Sequence, residues 1–206
     1  MNKCFYLSFG KRLLDLVLTI PALVILSPVL VVLALLVRFK LGSPVLFKQV
    51  RPGVNEKSFT LFKFRSMFIN AEQGGLITVG ERDPRITKIG YFLRKYKIDE
   101  LLQLVNVLIG DMSFVGPRPE VPRYVKLYSS EQRKILTVKP GITDYASIYF
   151  IQENELISKS NDPEKTYITV ILPAKINYNM IFINNQTVSE YFKIILLTIS
   201  IILWTL

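Results

Sequence analysis

The feature that most constrains this chain is a run of 22 uncharged, mostly apolar residues over positions 16–37, "LVLTIPALVILSPVLVVLALLV". A straight helix of that length rises about 33 Å, which is enough to cross the hydrocarbon core of a bilayer. The run is longer than the apolar region of a signal peptide. No small-residue cleavage site follows it, because Arg38, Phe39 and Lys40 come next. We therefore expect a membrane helix that the protein retains.

The pair Ser27-Pro28 lies near the middle of this run and predicts a kink or a break in the helix. Pro28 has no N–H for the carbonyl of Val24, and its ring clashes there. Basic residues flank the run on both sides, so both ends are expected on the cytoplasmic side of the membrane. One hypothesis is a helix that enters, bends and returns to the same face, with the Ser27 hydroxyl bonded to the freed carbonyl. The other is an ordinary proline-kinked helix that crosses the bilayer.

The rest of the chain, residues 41–206, predicts one compact unit packed against the membrane segment in residues 1–40. The stretches "SPVLFKQVRPG" and "SFTLFKFRSM" are rich in aromatic and β-branched residues, and they predict a β-hairpin with its turn at residues 52–55. Helical periodicity follows in "ITKIGYFLRKY" and "DELLQLVNVLI". We therefore expect an α+β fold that is mainly helical.

The C-terminal part of the chain is expected to be helical. Asp162 followed by Pro163 is typical of a helix start, and Pro173 should kink the helix that follows. The tail "KIILLTISIILWTL" is too short to span a bilayer. It predicts either a core helix or an amphipathic helix that lies at the membrane interface.

Composition limits the chemistry that the chain can carry out. The formal net charge of +10 indicates an anionic partner, which could be nucleic acid, an acidic membrane surface or a phosphorylated substrate. A single cysteine excludes an intrachain disulfide. Histidine is absent, so catalysis would have to use carboxylates, Lys, Arg, Ser, Tyr or a hard metal ion.

The adjacent acids Asp99 and Glu100 follow a segment rich in Arg and Lys. Neighbouring residues on a helix point about 100° apart, so the two carboxylates suit two different roles. One could attack a phosphoryl group while the other holds a cation such as Mg²⁺. The alternative is that Asp99 is a helix N-cap and Glu100 interacts favourably with the helix dipole.

Three basic residues are candidates for binding an anionic ligand. Pro117 and Pro119 stiffen the backbone around Arg118, so its guanidinium can bind a phosphate with little loss of entropy. The alternative is a merely rigid turn. Lys63 and Arg65 lie two residues apart in a predicted strand and therefore on one face, which fits a phosphate ligand as well as a surface that faces lipid headgroups.

Together these motifs resemble the monotopic phosphoglycosyl transferases, also called the bacterial sugar transferase family. The resemblance covers most of residues 10–145, in the order and spacing of the family. The matching stretches are "KRLLD", "LSP", "GSPVLFKQVRPG", "FTLFKFRSM", "RITKIGYFLRK", "DELLQLVNVLIGDMSFVGPRPE" and "KPGIT".

The resemblance implies an enzyme on the cytoplasmic face of the bacterial inner membrane. Such an enzyme transfers a sugar 1-phosphate from a UDP-sugar to undecaprenyl phosphate and releases UMP. It implies Asp99 as the nucleophile, through an acyl phosphate, and Glu100 as the residue associated with Mg²⁺. Arg94 and Arg118 match arginines near the active site, and we expect them to favour the ionised form of Asp99. The resemblance also implies a re-entrant membrane helix broken at Ser27-Pro28.

The sequence departs from the family pattern at two places and leaves alternatives open. Leu102 stands where many members have Pro, and Asp144-Tyr145 replace a more frequent Gly with Trp or Leu. We expect the preference for one sugar to arise beyond Asp144. The reaction could instead proceed by direct attack in a ternary complex, or the protein could be a non-catalytic basic scaffold at an anionic phospholipid membrane. No nucleic-acid-binding motif is found, and the oligomeric state, homo-oligomer included, is open.

Overall fold

The computed structural model describes residues 9–80 and 83–205. Helix α1 (Lys11–Leu41) is long and apolar enough to cross a membrane. It runs as one helix through Ser27 and Pro28, so the pair does not end the helix as the predicted break required. The Ser27 hydroxyl donates a hydrogen bond of 2.8 Å to the carbonyl oxygen of Val24, which is the oxygen that Pro28 cannot serve. The predicted contact of Ser27 is confirmed, and it explains how the helix accommodates the proline.

The predicted β-hairpin is confirmed. Strands β1 (Leu46–Pro52) and β2 (Ser58–Phe64) are antiparallel and are joined by a 3₁₀ turn over Val54–Glu56. The buried side of β2 packs through Phe59 and Leu61 on the helix that follows the acidic pair. This packing fixes the position of the hairpin beside the candidate carboxylates.

The other elements confirm a fold that is mainly helical. In chain order they are α2 (Lys88–Lys95), α3 (Gln103–Ile109), β3 (Ser113–Val115), α4 (Pro122–Val125), β4 (Gly141–Thr143), α5 (Tyr145–Tyr149), α6 (Glu153–Ser158), α7 (Pro163–Thr166), α8 (Leu172–Asn184) and α9 (Val188–Thr205). Asp162 caps α7 by accepting from the backbone N–H of Lys165, as the sequence predicted. A π-helical segment, Tyr167–Ile171, directly precedes α8, and Pro173 lies in the first turn of that helix.

Strands β3 and β4 form a parallel pair that approaches unusually closely at two glycines. A Cβ atom on Gly116 would lie 2.3 Å from the Lys139 carbonyl oxygen. A Cβ atom on Gly141 would lie 2.2 Å from the Gly116 nitrogen. Only glycine fits at these positions, and the approach places the segment after β3 against the start of β4.

Both ends of α1 pack on the same globular part of the protein. Near its N-terminal end, Arg12 donates to the carbonyl oxygens of Val107 and Leu108 at the end of α3. Near its C-terminal end, Leu33 and Val37 are buried in a cluster with residues of β2 and α2. The middle of the helix is exposed, with 68% of Val24 accessible. The helix is therefore attached to the globular part at two separated points.

Helix α9 has a buried side and an exposed apolar side. Tyr191 and Ile194 are fully buried, whereas Leu203 and Trp204 are exposed, Trp204 to 90%. The helix therefore contributes to the core through one side and exposes apolar side chains on the other. The core alternative is confirmed for the buried side, and contact of the exposed side with the membrane interface stays a prediction.

Candidate active site

A cleft of about 1410 Å³ opens between α1, the β-hairpin and the C-terminal helices. Its lining includes most of the charged residues that the sequence singled out, together with apolar residues of α1 and α9. The predicted site residues that line it are Lys63, Arg65, Arg94, Asp99, Glu100 and Arg118. The fold therefore brings together residues that are 55 positions apart in the sequence.

Asp99 and Glu100 lie in a short 3₁₀ turn, Ile98–Glu100, that precedes α3. Helix α3 begins at Gln103, and neither carboxylate caps it. The alternative of Asp99 as a helix N-cap is therefore wrong. Lys97, just before the turn, has a left-handed backbone with φ of 56°, which directs the chain into this turn.

Asp99 is 5% exposed, and no hydrogen bond to its carboxylate is found within residues 9–80 and 83–205. Burial raises the pKa of Asp99 to about 6, and the adjacent charge of Glu100 acts in the same direction. Lys63, Arg94 and Lys97 oppose this increase in part. Arg94 favours the ionised form of Asp99, as expected, but burial outweighs the cations and the net shift of the pKa is upward.

Glu100 has the opposite environment. Arg118 donates through both terminal nitrogens to its two carboxylate oxygens, with 2.9 Å from Nη1 to Oε2, and Lys63 Nζ lies 2.8 Å from Oε1. Burial alone would raise the pKa of Glu100, but Arg118 and Lys63 together hold it well below its usual value. Glu100 is therefore ionised at neutral pH and fixed by two cations.

The backbone around Arg118 is held on both sides. Its N–H donates to Asp144 Oδ2 at 2.8 Å, and the carbonyl oxygen of Pro119 accepts from Arg51 Nη1 at 2.9 Å. Asp144 is fully buried and also caps α5. The prediction of a stiffened arginine is confirmed, and the proline-rich segment is anchored to both β1 and the turn after β4.

Arg94 and Arg65 are placed differently from each other. Arg94 lines the cleft and donates from Nη2 to Thr78 Oγ1 at 3.1 Å. The buried guanidinium of Arg65 donates to the carbonyl oxygens of Leu41, Gly42 and Ser43 at the C-terminal end of α1. In the structure, Arg65 fixes the C-terminal end of α1, and its hydrogen bonds go to this segment and not to the carboxylates.

The donor groups present fit Mg²⁺ only as a partial set of ligands. The described residues contain no cluster of three or more His, Cys, Asp or Glu side chains. They do provide Asp99 and Glu100 side by side in the cleft. Mg²⁺ is commonly held by one or two carboxylates together with substrate phosphates and water. The site therefore suits a magnesium ion that substrate phosphates help to bind.

Several residues of the site were not found from the sequence. Arg51 lies within a quoted motif, "FKQVRPG", which was read only as a strand and a turn. Thr78 carries no pattern that marks it. Glu153 and Lys175 form an ion pair of 2.8 Å in the cleft wall, but they lie on different helices, so no sequence spacing could have paired them.

Comparison with known proteins shows the family to which the chain belongs. The model of the bacterial sugar transferase family matches residues 6–205. The chain is 49% identical over 138 residues to the uncharacterized sugar transferase EpsL of Bacillus subtilis, which covers 67% of each chain. It is 36% identical over 192 residues to the UDP-glucose:undecaprenyl-phosphate glucose-1-phosphate transferase of Klebsiella pneumoniae, covering 92% of this chain and 39% of the relative.

A third relative is named for a different sugar. It is the UDP-N-acetylgalactosamine-undecaprenyl-phosphate N-acetylgalactosaminephosphotransferase of Aeromonas hydrophila, 39% identical over 146 residues. That match covers 68% of this chain and 34% of the relative. The resemblance drawn from the motifs is thus confirmed, and the chain belongs to the bacterial sugar transferase family.

Proposed function

We propose that the protein transfers a sugar 1-phosphate from a UDP-sugar to undecaprenyl phosphate and releases UMP, as a membrane step in bacterial glycoconjugate assembly. The observation that carries this proposal is the pairing of a buried, unpartnered carboxylate with a clamped one in a single cleft. Asp99 is free to react, whereas Glu100 holds Arg118 and Lys63 beside it. The names of the relatives, which specify UDP-sugars and undecaprenyl phosphate, support the choice of substrates.

In the first step, a carboxylate oxygen of Asp99 attacks the phosphorus that carries the sugar. A bond forms between this oxygen and phosphorus, and the bond from phosphorus to the bridging oxygen breaks. UMP leaves with the bridging oxygen, and the sugar phosphate remains on Asp99 as an acyl phosphate. The raised pKa of about 6 leaves Asp99 mostly ionised at neutral pH while keeping it more basic than an exposed aspartate, which suits a nucleophile.

In the second step, a phosphate oxygen of undecaprenyl phosphate attacks the same phosphorus. The new bond forms the lipid diphosphate sugar, and Asp99 leaves as a free carboxylate. Ala22 and Leu26 of α1 line the same cleft as Asp99, which supports an approach of the lipid from the membrane side. One buried nucleophile can therefore meet a water-soluble donor and a membrane-confined acceptor in turn.

The cations of the cleft would stabilise the charge that develops on the transferred phosphoryl group. Arg118 has five N–H donors, of which the Glu100 pair uses two, so others can bind a phosphate oxygen. Lys63 and Arg94 would contribute positive charge from the hairpin and from α2. Glu100 and Asp99 are the residues that would hold Mg²⁺, which when bound supplies charge neutralisation at the diphosphate.

We further propose that α1 is a re-entrant helix that bends within the bilayer and returns to the cytoplasmic face of the inner membrane. Its two ends are attached to one globular part through Arg12 and Arg65, which a helix crossing to the far side could not do. The exposed middle, around Val24 and Ile25, would lie in hydrocarbon. The excess of basic residues would favour anionic phospholipids at the surface.

The test is UMP release by purified protein in nanodiscs with Mg²⁺, undecaprenyl phosphate and a panel of UDP-sugars supplied one at a time. We expect release with at least one donor, and none with Asp99→Asn. Asp111→Asn is a matched control, because Asp111 lies outside the cleft. Release by the wild type at the rate of Asp99→Asn would contradict the proposed reaction.

The covalent route is tested by omitting undecaprenyl phosphate. A two-step enzyme should release one equivalent of UMP in a single burst and retain the sugar phosphate on Asp99, detectable by mass spectrometry. Direct attack in a ternary complex should give no burst. A non-catalytic scaffold should also be indifferent to UDP-sugar and Mg²⁺ in a thermal unfolding assay, whereas an enzyme should be stabilised by its donor.

A further inference from the structure

A second set of charged side chains lines the cleft, away from the Asp99–Glu100 turn in the sequence. Lys175 Nζ on α8 donates to Glu153 Oε2 on α6 at 2.8 Å, and the two side chains are 13% and 24% exposed. The same ammonium lies 5.4 Å from the centre of the Tyr167 ring. Asn154 lines the cleft next to Glu153. These four residues place an acceptor, a donor, an amide and an aromatic ring together in one wall.

This wall is connected to the carboxylate site by direct contacts. The Tyr167 hydroxyl donates to Glu120, and Glu120 lies 3.7 Å from Arg51. Arg51 in turn donates to the carbonyl oxygen of Pro119, next to Arg118. Glu100, and more weakly Asp144 and Glu153, raise the pKa of Arg118, which agrees with Glu153 lying near it. A donor bound at Arg118 could therefore extend one of its ends toward Glu153 and Lys175.

Stability alone does not account for an ion pair at this position. Removing two charges from water costs about as much free energy as their attraction returns, so apolar residues of similar size would usually serve the fold equally well. The pair instead presents a hydrogen-bond acceptor and a donor 2.8 Å apart to the cleft. A sugar hydroxyl both donates and accepts, so neighbouring hydroxyls of a sugar ring match such a pair.

We propose that Glu153, Asn154, Lys175 and Tyr167 form a subsite that recognises hydroxyl groups on the sugar of the UDP-sugar and thereby selects which sugar is transferred. This inference rests on the proposed function. The relatives share UDP and undecaprenyl phosphate in their names and differ in the sugar. The four residues come from beyond Thr143, where the motifs that carry the family resemblance end.

The test compares Glu153→Gln and Lys175→Met with wild type in the UMP-release assay. With the best donor, kcat/KM should fall about 10-fold to 100-fold, the size of one lost hydrogen bond to a charged group. With one monodeoxy analogue of that donor, which lacks the recognised hydroxyl, the same substitutions should lower kcat/KM by less than about 3-fold relative to wild type, because the contact is already missing. The inhibition constant of UMP should stay unchanged, since UMP lacks the transferred sugar that would occupy the subsite.

The neighbouring pair Glu155 and Lys159 provides the matched control. It has the same residue types on α6 and its flank and a similar distance of 2.7 Å, but it is exposed and does not line the cleft. Glu155→Gln should therefore behave as wild type with every donor. Should Lys175→Met fail to fold, Lys175→Gln, which keeps a polar side chain without the charge, replaces it. The same changes in kcat/KM with the best donor and with its deoxy analogue are then expected.

The outcomes separate this inference from the proposed function. Wild-type protein that releases no UMP with any donor overturns the proposed function itself. Wild-type activity combined with Glu153→Gln and Lys175→Met losses that are equal for all donors, and weaker UMP inhibition, would mean that the wall binds the nucleotide and would overturn the subsite. Variants indistinguishable from Glu155→Gln would overturn it as well.

Discussion

Two buried aspartates in this protein, Asp15 and Asp99, show how burial can serve different ends. Asp15 in α1 is 1% exposed, and its Oδ1 accepts from Ser113 Oγ at 2.9 Å, the Phe114 N–H at 3.0 Å and the Tyr191 hydroxyl at 2.8 Å. Asp99 is 5% exposed, yet no hydrogen bond to its carboxylate is found in the part of the chain that the structure describes. The two aspartates are thus similarly buried, but Asp15 accepts three hydrogen bonds whereas Asp99 accepts none from the described residues.

The difference separates a structural carboxylate from the one that we propose is reactive. Three donors from β3 and α9 use up the acceptor capacity of Asp15 Oδ1, so this residue joins α1 to both of those elements. No hydrogen bond to the Asp99 carboxylate is found among the described residues, and burial raises its pKa. Carboxylates with strongly shifted pKa values in a cleft are concentrated at functional sites.

The largest expected effect is on activity. Asp99→Asn should lower the rate of UMP release about 10⁴-fold or more, since the covalent route loses its nucleophile. Asp15→Asn keeps the shape of the side chain, and Asp15 lies outside the cleft. The rate of UMP release by the folded fraction of that variant should therefore stay within about 10-fold of wild type. Initial rates, normalised to the folded fraction, measure both. Equal losses in the two variants would remove the distinction between the residues.

The next effect is on stability. Asp15→Ala leaves three donors without their acceptor, so the free energy of unfolding should fall by about 3 kcal/mol. Chemical unfolding in detergent, followed by circular dichroism, measures the change. Asp111→Ala is the control, because Asp111 is only partly buried, and it should shift stability by less than about 1 kcal/mol. A small loss in Asp15→Ala would mean that water replaces the missing carboxylate.

The half of this comparison that concerns the proposed catalytic site could be predicted from the sequence, because its parts are local. The hairpin, the acidic pair and the proline-flanked Arg118 are each contained in a stretch of 19 residues or fewer, so pattern and resemblance identify them. Their partners are not local. Tyr191 lies 176 positions from Asp15, and no periodicity connects the two.

Two further features depend on the assembled fold. The sequence predicted Arg65 at a phosphate, but the chain turns after α1 and presents three carbonyl oxygens to its guanidinium. The sequence also predicted that cations would favour the ionised form of Asp99, and Arg94 does act in that direction. The net upward shift of the Asp99 pKa arises from burial, which only the packed structure determines.

A smaller effect tests how the raised pKa of Asp99 changes the stability of the protein with pH. Its pKa in the folded protein, about 6, is above the ordinary value of 3.8, so the folded state binds the proton more tightly than the unfolded state does. Asp99 therefore contributes stability below about pH 4 and loses it as the pH rises through 6. At pH 8, Asp99→Asn should be more stable than wild type by about 1–3 kcal/mol, and the difference should vanish near pH 4.

The adjacent residue, Glu100, contributes to stability with the opposite dependence on pH. The pKa of Glu100 is held well below its usual value, so its contribution to stability is present at neutral pH and is lost on acidification. Glu100→Gln should therefore destabilise the protein at pH 8, where Asp99→Asn stabilises it. Unfolding curves at pH 4, 6 and 8 measure both variants. A loss of stability in Asp99→Asn at pH 8 would mean that the carboxylate has a partner in solution.

The smallest effect concerns a single bond at Asp15. Tyr191→Phe removes one of three hydrogen bonds to Oδ1 and leaves the buried ring in place, so unfolding should become easier by about 1 kcal/mol. UMP release should be unchanged, because Tyr191 lies outside the cleft. In a double-mutant cycle with Asp15→Ala, the double variant should lose less free energy of unfolding than the sum of the two single losses, since both substitutions remove the same bond. Full additivity would mean that Tyr191 stabilises the core through its ring alone, and that α9 is joined to the membrane helix by packing rather than by the carboxylate.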